Sequence, residues 1–320
     1  NPLMRQLLPL LLLPLATLPL LAQSSSAERT PKTPADYNRM ERGVQNLQES
    51  GKSAKRLATP ALKEAVKNFA PGKLPELRVT WGEFIGVDGK EFVALQFAPP
   101  VGMTLQPGRK LSAFGELLAD GKWLLDYEEP ASVVDSKGDA YFERSIVVDA
   151  ANLTGTFGIA AGGEVLAIAR VPLALEPLTK TGSGLSRLIL SNNVFPLPVA
   201  QKPLDPFAFG GTKVVPKPDR AFKATDELWI FSELRNPMLD EAQTPHVTTK
   251  VELEGEGKKM RGAAQAAEAL PLKGVPGHFG VGQTLDVSTL KPGEYKLRYI
   301  VTDSLAKQSW TREETLRIVE

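Results

Sequence analysis

Between Leu77 and about Leu175 the chain is written in short apolar runs split by turn residues. The runs are "LRVTWGEF", "EFVALQFAP", "KLSAFGELL", "KWLLDYEEP", "ERSIVVDA", "GTFGIAAG" and "EVLAIARVPL". Their separators include "VDGKE", "LADGK" and "DSKGD", whose Asp-Gly and Lys-Gly pairs suit tight hairpin turns. No helical period of useful length interrupts them. Seven short strands in about 100 residues predict a sandwich of the immunoglobulin type, here without the disulfide of antibody domains.

The same grammar returns from Leu228 to the C-terminus. In "TLKPGEYKLRYIVTD" a Leu-x-Pro-Gly turn precedes Tyr295, and Tyr295, Leu297, Tyr299 and Val301 alternate with Lys296 and Arg298. Period-2 alternation sends the first set to a core and the second to water. Tyr295 stands where a corner tyrosine bonds back to main chain, and Asp303-Ser304 ends the strand in a turn. Every residue of this stretch has a structural task.

Upstream, the pattern is helical. Thr33 is a candidate N-cap ahead of Pro34, and Tyr37, Met40, Val44 and Leu47 share one helical face before Gly51. A second short helix follows Thr59-Pro60, with Leu62, Val66 and Phe69 on one side. These helices are expected to pack on the domain that follows them or stay mobile, the other reading being a partner-docking amphipathic segment. The first stretch, "MRQLLPLLLLPLATLPLLAQSSSA", reads as a secretory signal: Arg5 in the n-region, Leu7 to Leu21 apolar, Ala22 small at the cleavage point. Met4 is taken as its start, with an extended reading frame before it. Pro9, Pro14 and Pro19 break a run already shorter than the ~20 residues that span a bilayer, so no membrane span is expected after cleavage.

The expected organisation is a signal peptide at 1–22, a polar leader with one or two helices at 23–72, a first β-sandwich at 73–178, a Pro-rich linker at 179–218 and a second β-sandwich at 219–320. Prolines 196, 198, 203, 206, 216 and 218 favour extended chain in the linker. Its apolar start, Leu185 to Leu190, can add a strand or seal the interface between domains. Two landmarks suggest duplication. "LSAFGEL" (111–117) and "LWIFSEL" (228–234) share L-x-x-F-x-E-L, and Asp149, Leu153, Gly155 and Phe157 parallel Asp286, Leu290, Gly293 and Tyr295. The fold class is therefore all-β: two immunoglobulin/fibronectin-III-like sandwiches in tandem behind a short helical leader.

Composition narrows the function. Apolar residues are 42% and charged residues 23% of the 320, as in folded globular chains. There is no cysteine, which removes disulfides, thiol nucleophiles and thiolate zinc sites. Of 38 basic residues, loss of Arg5 with the signal leaves 37 against 37 acidic, so no basic excess marks a nucleic-acid binder.

The runs "GEVLAIARVPLALEPLTKTGSGLSRLILS", "VVPKPDRAFKATDELWIFSELRNP" and "LKPGEYKLRYIVTD" resemble the β-rich exported proteins of acidobacteria, in which such segments follow a von Willebrand factor A-related domain. The resemblance spans roughly residues 145–320. It implies a secreted or periplasmic protein with sandwich modules and no established activity. The A domain itself is absent: its metal site needs Asp-x-Ser-x-Ser, and "DVSTL" at 286–290 ends in Leu290. No metal site is carried over.

Candidate chemistry is sparse. His246 and His278 are the only histidines, both after Pro-containing turns where histidine packs or caps. "ESGKSAK" at 49–55 has Asn46 where a phosphate loop needs its first glycine, and "GSGLS" at 182–186 lacks the order of a nucleophile elbow. "DSKGDAYFE" at 135–143 misses the ligand spacing of a calcium loop. The one cluster with appeal is Trp123, Asp126, Tyr127 and Glu128, with Glu129 beside them: carboxylates near aromatics can line a sugar site, but a strand with exposed acids before Pro130 explains them more cheaply.

The expectation is thus an exported scaffold, adhesion or envelope-assembly protein, not an enzyme, with no cofactor and no metal. It would hold another envelope or extracellular protein through exposed strand edges or the linker. The alternative is a carbohydrate- or ligand-binding module, with polysaccharide as partner and Trp81, Trp123, Trp229 and Trp310 as platforms. Tryptophans in an exposed strip would favour the second, and tryptophans buried singly the first.

Overall fold

The computed structural model describes residues 56–86, 91–103, 109–131, 134–136, 139–147, 152–176, 182–197, 206–209, 211–255, 257–272 and 275–320. The signal segment, the first leader helix and the "ESGKSAK" string's Gly-Lys-Ser lie outside them.

Among the described residues the chain is all-β apart from one α-helix. That helix, α1 (Pro60–Lys67), starts behind Thr59 with Pro60 at its first position, and it buries Leu62 and Val66 on one side. Eight strands follow: β1 (Arg78–Ile85), β2 (Glu91–Ala98), β3 (Leu111–Ala119), β4 (Lys122–Pro130), β5 (Val134–Ser136), β6 (Asp139–Val147), β7 (Asn152–Ala161) and β8 (Glu164–Ala174). Each of the seven apolar runs falls in one of them, and β5 is additional. They form two antiparallel sheets, β1-β2-β6-β5 and β4-β3-β7-β8. Successive hairpins alternate between the sheets. Asp120 and Gly121 both take positive φ (48° and 76°), which gives the β3–β4 hairpin the left-handed pair that a two-residue turn requires.

The two sheets meet across one core. Val93, Leu95 and Phe97 of β2 and Phe142 and Ile146 of β6 face Ala113, Leu117, Tyr127, Phe157, Ile159 and Leu173 from the other sheet. The opposite face of β4-β3-β7-β8 is covered by α1, with Leu57, Leu62 and Val66 on Phe114, Ala160 and Ile168.

The second half holds β9 (Gly184–Leu185), β10 (Ile189–Ser191), β11 (Asn193–Pro196), β12 (Ala208–Phe209), β13 (Thr212–Val215), β14 (Ala221–Lys223), β15 (Glu227–Arg235), β16 (Val247–Gly255), β17 (Lys258–Arg261), β18 (Gln265–Ala267), β19 (Ala269–Pro271), β20 (His278–Asp286), β21 (Gly293–Asp303) and β22 (Gln308–Val319). One sheet runs β10-β15-β20-β19 with β9 beside β15. The other runs β14-β22-β21-β16-β17 with β18 beside β16. Only β14 and β22 pair parallel among these neighbours. Leu228, Ile230, Leu234 and Val281 pack against Val251, Leu297, Tyr299, Val301 and Leu316 between them.

The stretch between the halves is far more built than a spacer. Leu185, Leu188 and Leu190 enter the second core, while β11, β13 and β12 make a separate three-stranded ribbon. Ile189, Phe207, Phe209 and Val214 join Phe84, Ile85 and Phe92 from the first half and Phe231 and Leu272 from the second in a third apolar cluster. This cluster is the seam between the halves.

The duplication landmarks fare differently. Phe157 lies on β7, between β3 and β8, and Tyr295 lies on β21, between β16 and β22, so these are matching places in the two strand orders. Residues 111–117 lie on β3 but 228–234 lie on β15, which sits in the other kind of sheet, between β10 and β20. The L-x-x-F-x-E-L match therefore equates strands that are not equivalent. It reflects the alternation any half-buried strand shares.

Candidate functional site

Strand β4 is an edge strand, paired with β3 alone. A register shift after Leu117 leaves Leu124 unpaired, and from there residues alternate strictly across the sheet. Tyr127 therefore faces the core at 1% exposure, with the Arg144 guanidinium 3.7 Å from its ring centroid and Arg144 in turn bonded to Glu129. Burial pushes the Tyr127 hydroxyl well above its ordinary range. Asp126 and Glu128 point to the opposite face. The four residues read from the sequence as one site are thus split by the pleat: Trp123, Asp126 and Glu128 are on or near the outer surface, and Tyr127 belongs to the interior.

The outer carboxylates are already engaged. Asp126 takes a two-pronged contact from Arg56, with Nε donating to Oδ1 at 2.6 Å and Nη2 to Oδ2 at 3.1 Å, and Oδ1 also accepts the Leu57 N–H at 3.1 Å. Glu128 Oε2 accepts the N–H groups of Ala58 and Thr59 at 3.2 and 3.0 Å, while Oε1 accepts the Thr59 hydroxyl at 2.6 Å. The Arg56 guanidinium lies 4.5 Å from the Trp123 ring centroid. Hydrogen bonds from Arg56 hold the Asp126 carboxyl below its usual range. For Glu128, burial works against the charge, but the bonds from Thr59 and Ala58 outweigh it and its pKa is also lowered. The acids of β4 act here as a clamp on four residues of their own chain.

The remaining tryptophans form no strip with Trp123. Trp81 packs on the first core beneath Arg187, whose guanidinium is 4.0 Å from the ring. Trp229 stacks on Phe231 at the seam, with centroids 5.9 Å apart, and Trp310 packs on the second core. Trp123 is 51% exposed, and Val101, Leu124, Val147, Met238 and Met260 are further large apolar side chains open to solvent.

A second polar cluster lies at the seam, joining residues far apart in sequence. Glu233, fully buried on β15, accepts the Ile85 N–H at 3.3 Å, shares a hydrogen bond with Nδ1 of His278 and lies 3.4 Å from Arg235 Nε. Arg235 Nη2 donates to the Glu83 carbonyl at 3.2 Å. The Glu83 carboxylate is buried, 3.8 Å from Arg187, and its Oε2 makes no hydrogen bond. Arg187 also approaches Glu314 at 3.8 Å, and Arg220 pairs with Glu314 at 2.5 Å. Burial first, opposed by Arg235 and Arg187, raises the Glu83 pKa; burial likewise raises that of Glu314 against Arg220 and Arg187. Glycines permit close packing at the seam: a Cβ on Gly82 of the first half would stand 3.2 Å from Ile189, and within the second half one on Gly280 would stand 3.1 Å from the Phe209 Cβ. His278 thus packs and bonds at an interface, as its turn context suggested. The signal that could have marked Glu233 is an acid at an inward position of an otherwise apolar strand.

His246 is exposed and its Nε2 sits 2.7 Å from Asp240 in a surface loop. Ser186 of "GSGLS" is buried and structural, its Oγ accepting the Glu233 N–H at 2.9 Å. Among the described residues no group of three or more His, Asp or Glu is placed to hold a metal ion, and no helix is long and apolar enough to cross a membrane. Comparison of the chain with models of protein families gives no match, and comparison with curated proteins gives none.

Proposed function

We propose that the chain is an exported, non-enzymatic scaffold, adhesion or envelope-assembly protein that works through the surfaces of two immunoglobulin/fibronectin-III-like sandwiches. The strand orders support that fold reading. With β1 to β8 as A, B, C, C′, D, E, F and G, the first half reads A-B-E-D and C′-C-F-G. In the second half, Tyr295 donates its hydroxyl to the Lys291 carbonyl at 3.0 Å, the bond of a tyrosine corner. The resemblance to exported acidobacterial proteins and the signal-like residues 1–22 are in keeping with export.

One observation carries the scaffold reading: the polar and aromatic residues richest in chemical potential are spent on fastening the two halves together. Glu233, His278, Arg235, Glu83 and five phenylalanines meet at the seam. A protein that holds two partners at a set separation needs such a joint. The alternative, a ligand-binding module, rests on exposed Trp123 beside Asp126 and Glu128.

Capture from the source cell envelope on chain from Gln23 onward separates the two. A specific envelope protein recovered at near-stoichiometric yield supports the scaffold. Recovery of polysaccharide alone, with a fluorescence change on its addition that Trp123→Ala abolishes, overturns it in favour of the ligand module.

A further inference from the structure

We propose that residues 56–69 form a detachable strap, and that the sheet face beneath it is a docking groove for an amphipathic helix entering through a basic residue and a hydroxyl cap. This rests on the surface-binding reading and gives one surface a partner class.

The strap is fastened by side chains and not by a strand ladder. No strand ladder runs through it among the described residues. The first ladder contact downstream is the bridge from Glu76 to Ile168, secured by Leu77 N–H to the Ile168 carbonyl and Ile168 N–H to the Pro75 carbonyl. Upstream of that anchor, Pro71 and Gly72 form a joint, with Gly72 at φ +76° and nothing within 4 Å of its Cβ position. The strap can therefore lift without breaking one inter-strand hydrogen bond, at the cost of the bonds to Asp126, Glu128 and Arg170 and of the burial of Leu57, Leu62 and Val66.

What it leaves behind is a recognisable groove. Phe114, Ala160 and Ile168 form an apolar floor that Leu57, Leu62 and Val66 now cover. Along one side stand Asp126, matched to a guanidinium, and Glu128, matched to two backbone N–H groups and a hydroxyl. On the other side Arg170 donates to the Val66 carbonyl at 3.0 Å near the helix C-terminus and lies 4.8 Å from the Phe69 ring centroid. Acid at the entry of a helix and a guanidinium at its exit also suit the helix dipole. A partner helix with a basic residue, then Ser or Thr at the cap, then apolar residues four apart, satisfies each group. Helix-in-groove recognition of this kind reads few anchors.

Hydrogen exchange on the full chain tests the strap. The amides of Leu57, Ala58, Thr59, Leu62 and Lys63 should exchange at least about 100-fold faster, after correction for intrinsic rates, than those of Phe114 and Gly158. Equal rates overturn the proposal. The groove is tested with a fluorescent peptide of residues 56–69 added to full chain carrying Leu62→Asp, which evicts the strap. Saturable binding, lost when Asp126→Ala and Glu128→Ala are added and at least about 10-fold weaker on the unaltered chain, is expected. No binding to a folded Leu62→Asp chain overturns the groove. A Leu62→Asp chain that cannot fold overturns the strap, because the segment is then integral to the core. Failure to capture an envelope partner would leave these results untouched, so the two readings fail separately.

Discussion

Glu233 shows what a single buried charge does in this molecule. It lies in the interior, accepting the Ile85 N–H and sharing a hydrogen bond with His278, with Arg235 Nε 3.4 Å away; removing it would strip His278 Nδ1 of that partner and leave the buried Arg235 charge without its carboxylate. Glu233→Ala should lower unfolding stability by roughly 3–5 kcal/mol, read from the urea midpoint at constant slope. Glu83 is the opposite case, since burial outweighs Arg235 and Arg187 and its pKa is raised. A group with a raised folded pKa favours the fold below its unfolded pKa and forfeits that contribution as pH rises through the folded value. Glu83→Gln should therefore melt higher than the parent at pH 7, and the difference should vanish below about pH 4, where both side chains are neutral. A Gln variant less stable at pH 7 would mean that the weak contact with Arg187 dominates. Tyr295→Phe should cost about 1 kcal/mol by removing one hydroxyl bond and no packing.

At the scale of elements, strand β4 explains why a string of acids beside aromatics was ambiguous in the sequence. Asp126, Tyr127 and Glu128 are consecutive, so a strand had to place Tyr127 opposite its neighbours; the unpaired Leu124 sets the face of Trp123 relative to them. The alternation was legible, but the ligand of the carboxylates was not, because Arg56 to Thr59 lie about 70 residues away in sequence. The clamp has a pH signature. Asp126 and Glu128 have lowered pKa values, so their contribution is present above the ordinary carboxylate range and is lost as pH falls through the folded values. The charges facing them are Arg56 on the strap and, toward Glu128, Lys63 of α1. Trp123 should consequently change its fluorescence below about pH 4, before the near-ultraviolet dichroism of the cores is lost. The two events arriving together would argue against a separate clamp.

Across the whole molecule, the seam decides whether two halves behave as one. Its aromatic cluster depends on close approach at Gly280, where a Cβ would meet the Phe209 Cβ at 3.1 Å and Leu272 at 3.7 Å. Gly280→Val should destabilise by about 1–3 kcal/mol through overpacking and split one calorimetric transition into two, with the scattering envelope lengthening. A single transition with unchanged scattering would show that the ion-paired side of the seam suffices.

Taken alone, the sequence determined the strand-rich fold, the places of seven strands between Leu77 and Leu175, the Thr59-Pro60 helix and the inward set Tyr295, Leu297, Tyr299 and Val301, because turn chemistry and period-2 burial act over a few residues. Only the tertiary structure decided that a Pro-rich stretch supplies strands and an aromatic seam, that Asp126 and Glu128 clamp their own chain, and that Glu233 meets His278. Those contacts join residues 45 to 148 positions apart, and no local pattern encodes which distant group will arrive.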